Sequence, residues 1–328
     1  MHIFTVTISA NSCLYLKYNN YNIMKINKNF LVFLSLIFPL ILSAQVESIF
    51  NDIRLNQSLQ DVTQKLSKIS ESSNVISVDK PSFPLAISKE DHLVCSQVKT
   101  DNGIISSVVF TFADDKLKYI EARGNARKTL TKMLTDTTRT YLDYDVYVAV
   151  KLFLKKKEDA AWILTQEGMH TGLFAWENPY LNPDTKNEIK SKYSSEIPAF
   201  IKMGASFDEL KHVLEANSNF TNTEKLDGTD PNAQFQINCF GVNYLGFPRK
   251  IEARFGNDIL NAVWLLTGKE EEGRIRKALI SQFGDPIFVN DNWEIFNNWQ
   301  VGLRKDKPEI LLLEQKIGLE YKTSYFKQ

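Results

Sequence analysis

Two stretches of the chain repeat one order of apolar and polar residues. Residues 53–66 (IRLNQSLQDVTQKL) and 201–214 (IKMGASFDELKHVL) match without a gap at an offset of 148. In each stretch a serine, Ser58 or Ser206, is followed three residues later by an acid, and apolar residues recur every three or four positions. This pattern predicts in both places a one-sided helix of about 10–12 residues that begins at a serine N-cap.

The turn before each helix carries a second shared signal. Gly204 stands two residues before Ser206, and Asn56 stands at the same distance before Ser58. Glycine adopts positive φ without steric cost, and asparagine is the residue that best replaces it there. We therefore expect positive φ at both positions.

Alternating apolar and polar residues follow each helix. Residues 93–123 align with residues 237–266, and the pairs that anchor this alignment are Cys95 with Cys239 and Phe112 with Phe255. A period of two predicts half-buried strands, and the Asn-Gly, Asp-Asp and Asn-Asp pairs between them are typical of turns. Each copy is therefore predicted to contain a three-stranded antiparallel meander.

A second helix and a hairpin are predicted further along. Residues 269–286 begin with three glutamates, continue with an apolar stripe and end at Gly-Asp-Pro, while residues 127–134 form a weaker counterpart in the first copy. Acidic residues favour a helix N-terminus, and Gly and Pro end a helix. Residues 293–303 predict a hairpin that turns at Asn297 and Asn298.

The closing segments of the two copies also echo each other. Residues 162–181 align with residues 310–326, which pairs Gly172 with Gly318 and Tyr180 with Tyr325. Residues 262–266 (AVWLL) are apolar throughout, and a strand that is apolar on both sides is usually covered on both sides. We expect this strand to lie near the contact between the two copies.

The repeat predicts an α+β fold with two tandem modules. Each module contains a helix, an antiparallel meander sheet, a second helix and further antiparallel strands. The first module occupies residues 45–181 and the second occupies residues 201–328. The polar residues 182–200 are predicted to be a linker, and a short surface helix would connect the modules equally well.

The N-terminal residues predict export. Residues 24–44 contain two lysines, a run of thirteen mainly apolar residues and a final Ser-Ala pair. This is the layout of a secretory signal that is cleaved after Ala44, which predicts a periplasmic or secreted protein. A membrane-spanning helix needs about 20 apolar residues, although an uncleaved anchor helix stays open as the alternative. Residues 1–23 fit neither a signal nor a domain and are interpreted as an over-extended N-terminus.

The predicted mature chain, residues 45–328, is close to neutral, with 36 basic and 39 acidic side chains. A nearly neutral protein has no long-range attraction for phosphate backbones, so no nucleic-acid partner is expected. No integral membrane segment is predicted in it either, because it has no apolar run of the required length. The hydrophobic share of the full 328-residue chain is 43%, which is ample for a core.

The start of the second module resembles a known group of envelope proteins. Residues 204–210 (GASFDEL), followed by a meander, are similar to the small modules of the SmpA/OmlA (BamE-like) type, which include the lipoprotein of the outer-membrane assembly machine. The tandem arrangement also resembles the β-lactamase-inhibitory-protein fold, which has two helix-plus-sheet repeats. These families bind other proteins without catalysis, and the resemblance implies the same here. Residue 45 is glutamine rather than a lipid-attachment cysteine, so a lipid anchor is not expected.

The mature chain carries no recognised catalytic or metal-binding motif. Its histidines, His92, His170 and His212, have no His or Cys partner at metal-ligand spacing, and His212 is expected on a solvated helix face. Residues 227–232 (DGTDPN) offer the oxygen atoms of a calcium loop but lack the later glutamate, so a plain turn is favoured.

Cys95 and Cys239 occupy the same position in the two copies. In an exported protein they would either form a disulfide or be two small buried strand residues that the duplication repeated. The second alternative is favoured because equivalent positions meet only near a pseudo-twofold axis, whereas a disulfide needs Cα atoms within about 7 Å.

Three tryptophans of the second copy, Trp264, Trp293 and Trp299, would either pack in the core or line a ligand groove. Core packing is favoured because large aromatic side chains usually bury their area. Aromatic residues are nevertheless among the positions that differ most between the copies. We therefore hypothesise recognition by the second module through Trp293 and Trp299.

The sequence predicts a secreted or periplasmic, non-catalytic binding protein whose partner is an envelope protein or peptide. No catalytic, cofactor-binding or metal-binding residues are assigned, and no cofactor is expected. Two alternatives stay open: an exported hydrolase that acts through dispersed carboxylates, and an envelope assembly or structural factor.

Overall fold

The computed structural model describes residues 50, 52–132, 134, 138–181, 196–307 and 309–326. The predicted signal peptide 24–44, the preceding residues 1–23 and residues 182–195 of the predicted linker lie outside the described residues.

The first module consists of short helices and antiparallel strands. In chain order they are α1 (Leu59–Leu66), β1 (Ser72–Val78), β2 (Glu90–Thr100), β3 (Gly103–Ala113), β4 (Lys116–Arg123), α2 (Ala126–Thr131), β5 (Arg139–Tyr141), β6 (Tyr144–Tyr147), β7 (Leu152–Lys155), β8 (Ala160–Leu164) and α3 (Gln166–His170). Two 3₁₀ turns, Leu173–Ala175 and Pro179–Leu181, follow α3.

The second module repeats this order. Its elements are α4 (Phe207–Ala216), β9 (Phe220–Lys225), β10 (Phe235–Tyr244), β11 (Phe247–Gly256), β12 (Ile259–Leu266), α5 (Glu272–Phe283), β13 (Phe288–Val289), β14 (Trp293–Phe296), β15 (Val301–Arg304), β16 (Glu309–Leu313) and α6 (Gln315–Ser324). Two 3₁₀ turns, Lys269–Glu271 and Asn297–Trp299, lie before α5 and between β14 and β15.

Each module forms one eight-stranded antiparallel sheet with the same strand order. The orders are β1-β2-β3-β4-β8-β7-β6-β5 and β9-β10-β11-β12-β16-β15-β14-β13. The prediction of an α+β fold with two tandem modules is therefore confirmed. The predicted three-stranded antiparallel meander is present in each copy, as β2-β3-β4 and as β10-β11-β12, and one further strand precedes it in the sheet. The missed first strands, β1 and β9, are exposed or only partly buried along their length, so they do not show the apolar alternation of a half-buried strand.

The duplication is confirmed residue by residue at the start of each module. Ser58 and Ser206 cap α1 and α4, and their side chains accept hydrogen bonds from the main-chain N–H three residues later. The residues two positions earlier, Asn56 and Gly204, have φ of 71° and 83°. The remaining matched pairs also fall on equivalent strands: Cys95 lies on β2 and Cys239 on β10, while Phe112 lies on β3 and Phe255 on β11. Each of these phenylalanines lies beside a shift in strand register.

The two serine caps allow a matched test of the repeat. We expect Ser58→Ala and Ser206→Ala each to lower the free energy of unfolding by about 0.5–2 kcal/mol. The larger loss should occur at Ser206, because its hydroxyl also donates a hydrogen bond to the Glu209 carboxylate at 3.0 Å, and alanine cannot make this bond. Urea unfolding of the two variants measures the difference, and an equal or reversed order would contradict it.

The main core of each module lies on the face of its sheet that the first helix covers. On the first sheet, Val62 and Leu66 of α1 pack with strand residues such as Leu93 and Phe110. The second core has the same construction around Leu210 and Leu214 of α4. In the part of the chain that the structure describes, no helix combines the length and apolarity needed to cross a membrane.

The two modules diverge at their C-terminal ends, which corrects the predicted closing echo. Gly172 lies after α3 with φ of 75°, whereas Gly318 lies inside α6, so the two are not equivalent. Likewise, Tyr180 lies in a 3₁₀ turn and Tyr325 ends α6. After β8 the helix α3 has five residues and the chain then turns back over its own sheet, whereas after β16 the helix α6 continues for ten residues.

This divergence also decides what covers the apolar strand 262–266. Its alternate residues Ala262, Trp264 and Leu266 pack with Ile317 of α6 and with Phe326. Val263 and Leu265 face the other core, so the strand is covered on both sides as predicted. The cover comes from the C-terminal helix of its own module and not from the other module, although the strand ends two residues before Gly268, which lies against Pro84 of the first module.

Candidate functional site

Buried polar residues gather on the face of the first sheet that is opposite α1. Asn178 links them to residues 171–181, which run back over this face and are called the covering segment below. Its main-chain N–H donates to Glu121 Oε2 at 2.7 Å, and Trp162 Nε1 donates to the carbonyl of Trp176 at 2.9 Å. The Tyr119 hydroxyl lies 2.5 Å from Glu121 Oε2. These bonds fasten the covering segment to β4 and β8.

His92 lies at the centre of this polar cluster and is fully buried. Its Nε2 is 2.9 Å from Glu90 Oε1, and its Nδ1 is 3.0 Å from Asn178 Nδ2. Donors and acceptors match when Nε2 carries the proton and donates to Glu90, while Nδ1 accepts from Asn178. The second Asn178 N–H donates to the Thr111 hydroxyl at 3.0 Å. The imidazole therefore joins β2 and β3 to the covering segment.

Glu90 connects this cluster to the loop 79–89 between β1 and β2, called the junction loop below. Its Oε2 accepts from the main-chain N–H groups of Ser82 at 2.8 Å and Phe83 at 3.0 Å. Burial alone would raise the pKa of Glu90, but the His92 bond and the two N–H groups outweigh it and lower that pKa. Glu90 is therefore held as a carboxylate that clamps the loop.

The junction loop packs against the second module through aromatic rings. The Phe83 ring centroid lies 6.0 Å from that of Phe247, and the Trp176 centroid lies 5.0 Å from it. Phe174 of the covering segment approaches Phe240 of β10 at 5.9 Å. These side chains form one buried cluster built from both modules.

An ion-pair network completes the contact from the second module. Arg274 of α5 donates to the carbonyl oxygens of Ala86 at 2.6 Å and Phe83 at 2.7 Å. Glu271 lies between Arg274, at 3.1 Å, and Arg249, which it binds in bidentate fashion at 2.5 and 2.9 Å. Glu271 and Arg249 are 0% and 1% exposed, so this charge pair is fully desolvated.

Gly268 lies directly against Pro84 of the junction loop. A Cβ atom added to Gly268 would lie 1.8 Å from the Pro84 carbonyl oxygen, so no larger residue fits against the junction loop. Its N–H donates to Glu271 Oε1 at 2.7 Å, which ties the close approach to the ion-pair network. The junction is thus the set of residues 79–89, 171–176, 240–249 and 268–274.

The polar groups of the junction are positioned to fasten loops to sheets. Burial is the main cause of the raised pKa of Glu121, and Arg123, the Asn178 N–H and Tyr119 only partly oppose it. A buried carboxyl with a raised pKa is the type of group that can act as a general acid. Here, however, both Glu121 oxygens face protein donors: Arg123 on one and Tyr119 with Asn178 on the other.

Glu90 and Glu121 are expected to give opposite pH dependences of stability. Because the pKa of Glu90 is lowered, its ionised form stabilises the fold, and this contribution is lost as the pH falls below 4.5 toward the lowered pKa. Because the pKa of Glu121 is raised, its charge costs free energy at neutral pH, and this cost disappears as the pH falls toward 4.5. The pH range in which the contribution of Glu90 to stability changes therefore lies below the ordinary glutamate pKa, and the range in which that of Glu121 changes lies above it.

Urea unfolding across this pH range separates the two contributions. We expect Glu90→Gln to flatten the loss of stability below pH 4.5, and Glu121→Gln to remove a gain in stability on acidification toward that value. Parallel profiles for both variants and the unsubstituted protein would contradict the roles given to these carboxylates.

A cleft of about 320 Å³ opens between the modules beside the junction. His170 lines this cleft, and its Nε2 lies 3.5 Å from a Glu309 carboxylate oxygen, which brings α3 close to the start of β16. The remaining lining residues are Leu85, Gln166, Glu167, Thr171, Gly268, Lys269 and Lys307.

Of the residues singled out in the sequence, His92 lies in the polar cluster and His170 in the cleft, and the others fall away from the junction. Trp264, Trp293 and Trp299 are buried beneath α6, so the hypothesis that Trp293 and Trp299 form a recognition surface is wrong. The reason is the C-terminal helix, whose apolar side needs a partner and covers them. His212 is exposed on α4, as expected for a solvated helix face.

The open alternatives for the cysteines and for residues 227–232 are also decided. Cys95 and Cys239 are free and lie in different cores, and burial raises the pKa of Cys95 to about 12 and of Cys239 to about 11. Asp227 accepts hydrogen bonds from the Thr229 main chain and hydroxyl, as in a plain turn. Among the described residues, no group of three or more His, Cys, Asp or Glu is arranged to hold a metal ion.

Sequence reasoning missed the buried polar cluster and the junction. One signal was present: His92 and Gln236 occupy the same repeat position, one residue before the matched apolar pair Leu93 and Ile237, and both are buried. Polar residues that alternate with apolar ones are normally assigned to a solvated face. The covering segment, which removes that face from water, was not recognisable as a cover.

Comparisons of this chain with protein-family models, with curated proteins and with solved structures gave no match.

Proposed function

We propose that this chain is an exported, non-catalytic binding protein whose two modules act as one rigid scaffold for an envelope protein or peptide. The observation that carries the proposal is the junction, in which the Arg249–Glu271–Arg274 network holds the loop carrying Phe83. A fixed relation between two sheets reduces the ordering cost of binding a partner that contacts both. The buried polar groups that could take part in acid–base chemistry instead help to hold the two modules together.

Two sequence features support this proposal. The signal-like residues 24–44 favour export, and the helix start at residues 204–210 resembles the SmpA/OmlA modules, which bind other envelope proteins. Membership of that fold group, or of the related β-lactamase-inhibitory-protein group, is part of the proposal.

Export makes a direct prediction for the native protein. If residues 24–44 are a cleaved signal, N-terminal sequencing of protein purified from the source cells should begin at Gln45. The same sample should be found in the periplasmic or extracellular fraction. A native N-terminus at Met1 or Met24 would contradict this part of the proposal.

The binding function is tested with the predicted mature chain, residues 45–328, immobilised and exposed to envelope extract. A retained protein is identified, purified and titrated against the chain in solution by calorimetry. We expect saturable binding that weakens when Phe83→Ala loosens the junction and that survives Phe255→Ala, a substitution inside one core. Turnover of an envelope polymer that a single Glu→Gln substitution abolishes would instead establish the hydrolase alternative.

A further inference from the structure

The two sheets end in four edge strands among the described residues, and one of them differs from the others. Strands β5 and β13 are three and two residues long, and β9 carries Glu224 and Lys225. Strand β1 has seven residues (SSNVISV) without charge or proline. It pairs with β2 in unbroken register from Ser72 to Val78. Short length, charge, proline and bulges are the devices that protect sheet edges, and β1 has none of them.

The open edge of β1 carries main-chain hydrogen-bonding groups that a further strand can pair with. Successive N–H and C=O groups of a strand point alternately to either side, and β2 is the only described strand bonded to β1. The outward half of these groups can pair with an added strand, which is how many proteins bind extended peptides. Val75, at the middle of β1, leaves 41% of its surface exposed.

A groove follows this edge on the face opposite α1. It has a volume of about 270 Å³, and its lining includes Asn74 and Ile76 of β1, Val94 of β2, and Tyr180 and Leu181 of the covering segment. Alternate side chains of an added strand would point toward this face. The groove therefore fits apolar side chains at alternate positions of the occupant.

The charges at the two ends of β1 determine which kind of strand can pair with it. Glu71 precedes the strand and Asp79 follows it, and both are exposed. A second copy paired antiparallel about Val75 would place Glu71 opposite Asp79 twice, and like charges directly opposite each other destabilise a sheet. A peptide with basic residues at these two positions would instead form two favourable pairs.

We propose that β1 binds an extended segment of another protein as an added antiparallel strand, with apolar residues beside the groove and a basic residue opposite each of Glu71 and Asp79. The inference rests on the proposed binding function and assigns the surface and the class of partner to it. The occupant is recognised mainly through its backbone, and the groove and the two acids set its register.

The test uses the predicted mature chain and a synthetic, fluorescently labelled nonapeptide with Val at its central positions, Thr beside them and Lys at both ends. A second peptide has Glu at both ends, and a third has Pro at the centre. We expect the Lys-ended peptide to bind about ten-fold more tightly than the Glu-ended one, and the Pro peptide not to bind. The double substitution Glu71→Lys with Asp79→Lys should reverse the order of the first two.

Matched substitutions locate the site. Val75→Lys and Ser73→Lys place a charge on exposed positions of β1 and should abolish peptide binding. Thr223→Lys is the control, because Thr223 of β9 faces Ile237 as Val75 faces Leu93 in the other module. It should leave binding unchanged. Circular dichroism and urea unfolding verify that each variant is folded.

Several outcomes would overturn the inference. Equal peptide binding by the Val75→Lys variant and the unsubstituted chain would place the site elsewhere. A dimer that dissociates on this substitution would make a second copy the occupant, and slow exchange of the outward-pointing amides of β1 in the free chain would show an edge that is already covered. If an envelope partner bound the Val75→Lys variant normally, the edge assignment would fail while the proposed binding function stood.

Discussion

Replacing Glu271 with alanine is expected to lower the free energy of unfolding by about 3–5 kcal/mol, because it leaves a buried cation without its partner. Arg249 is 1% exposed, and both terminal nitrogens of its guanidinium bond to Glu271. The substitution also removes the acceptor of the Gly268 N–H and one partner of Arg274. Arg274 would then hold the junction loop without the carboxylate that orients it.

Urea unfolding measures this loss, and two variants define its origin. Glu272→Ala removes a neighbouring acid whose partner, Lys269, is mostly exposed, and should cost about 0–1 kcal/mol. The double variant Arg249→Met with Glu271→Met should be more stable than Glu271→Ala, because it removes the unpaired charge as well as the pair. A loss below about 1 kcal/mol for Glu271→Ala would mean that water or another group reaches Arg249.

The repeated architecture could be predicted from the sequence because its signals are local. The caps at Ser58 and Ser206, the positive φ at Asn56 and Gly204, and the paired strands each depend on a few neighbouring residues. The duplication then supplied each signal twice. Strand β1 was missed because an exposed edge strand does not need an apolar face.

The junction could not be predicted because it depends on contacts between residues far apart in the chain. Glu90, His92 and Glu121 read as ordinary polar positions on a sheet face until the covering segment removes that face from water. Similarly, Glu271 lies among glutamates that favour a helix start, and nothing local separates this buried residue from its partly exposed neighbour Glu272. Burial of a charge is a tertiary property, so periodicity alone does not reveal it.

The junction and the open edge lie on one continuous piece of chain. Strand β1 ends at Val78, and the junction loop that carries Phe83 begins at the next residue. The loop is held from the first module by Glu90 and from the second by Arg274. The segment that would carry an added strand is therefore continuous in the chain with the loop that contacts the second module.

Phe83→Ala is expected to weaken this contact more than any single surface substitution. The Phe83 ring is fully buried and lies 5.6 Å from Trp176 and 6.0 Å from Phe247, so its loss removes apolar area and leaves a cavity between the modules. Truncation of a buried phenylalanine costs about 3–5 kcal/mol. Because the cavity lies between two separate cores, we expect the modules to become less coupled as well as less stable.

Amide hydrogen exchange followed by mass spectrometry distinguishes these two effects, because it reports the opening free energy of each sheet separately. In the unsubstituted protein we expect the central strands of both sheets to share one high opening free energy. In Phe83→Ala the opening free energies of the two sheets should differ.

Phe255→Ala is the matched control, since Phe255 is equally buried but lies within the core of the second module, away from Phe83. It should destabilise the second sheet without exposing the junction loop. A Phe83→Ala protein whose two sheets still exchange together, with a loss below about 1 kcal/mol, would show that the modules are held together elsewhere.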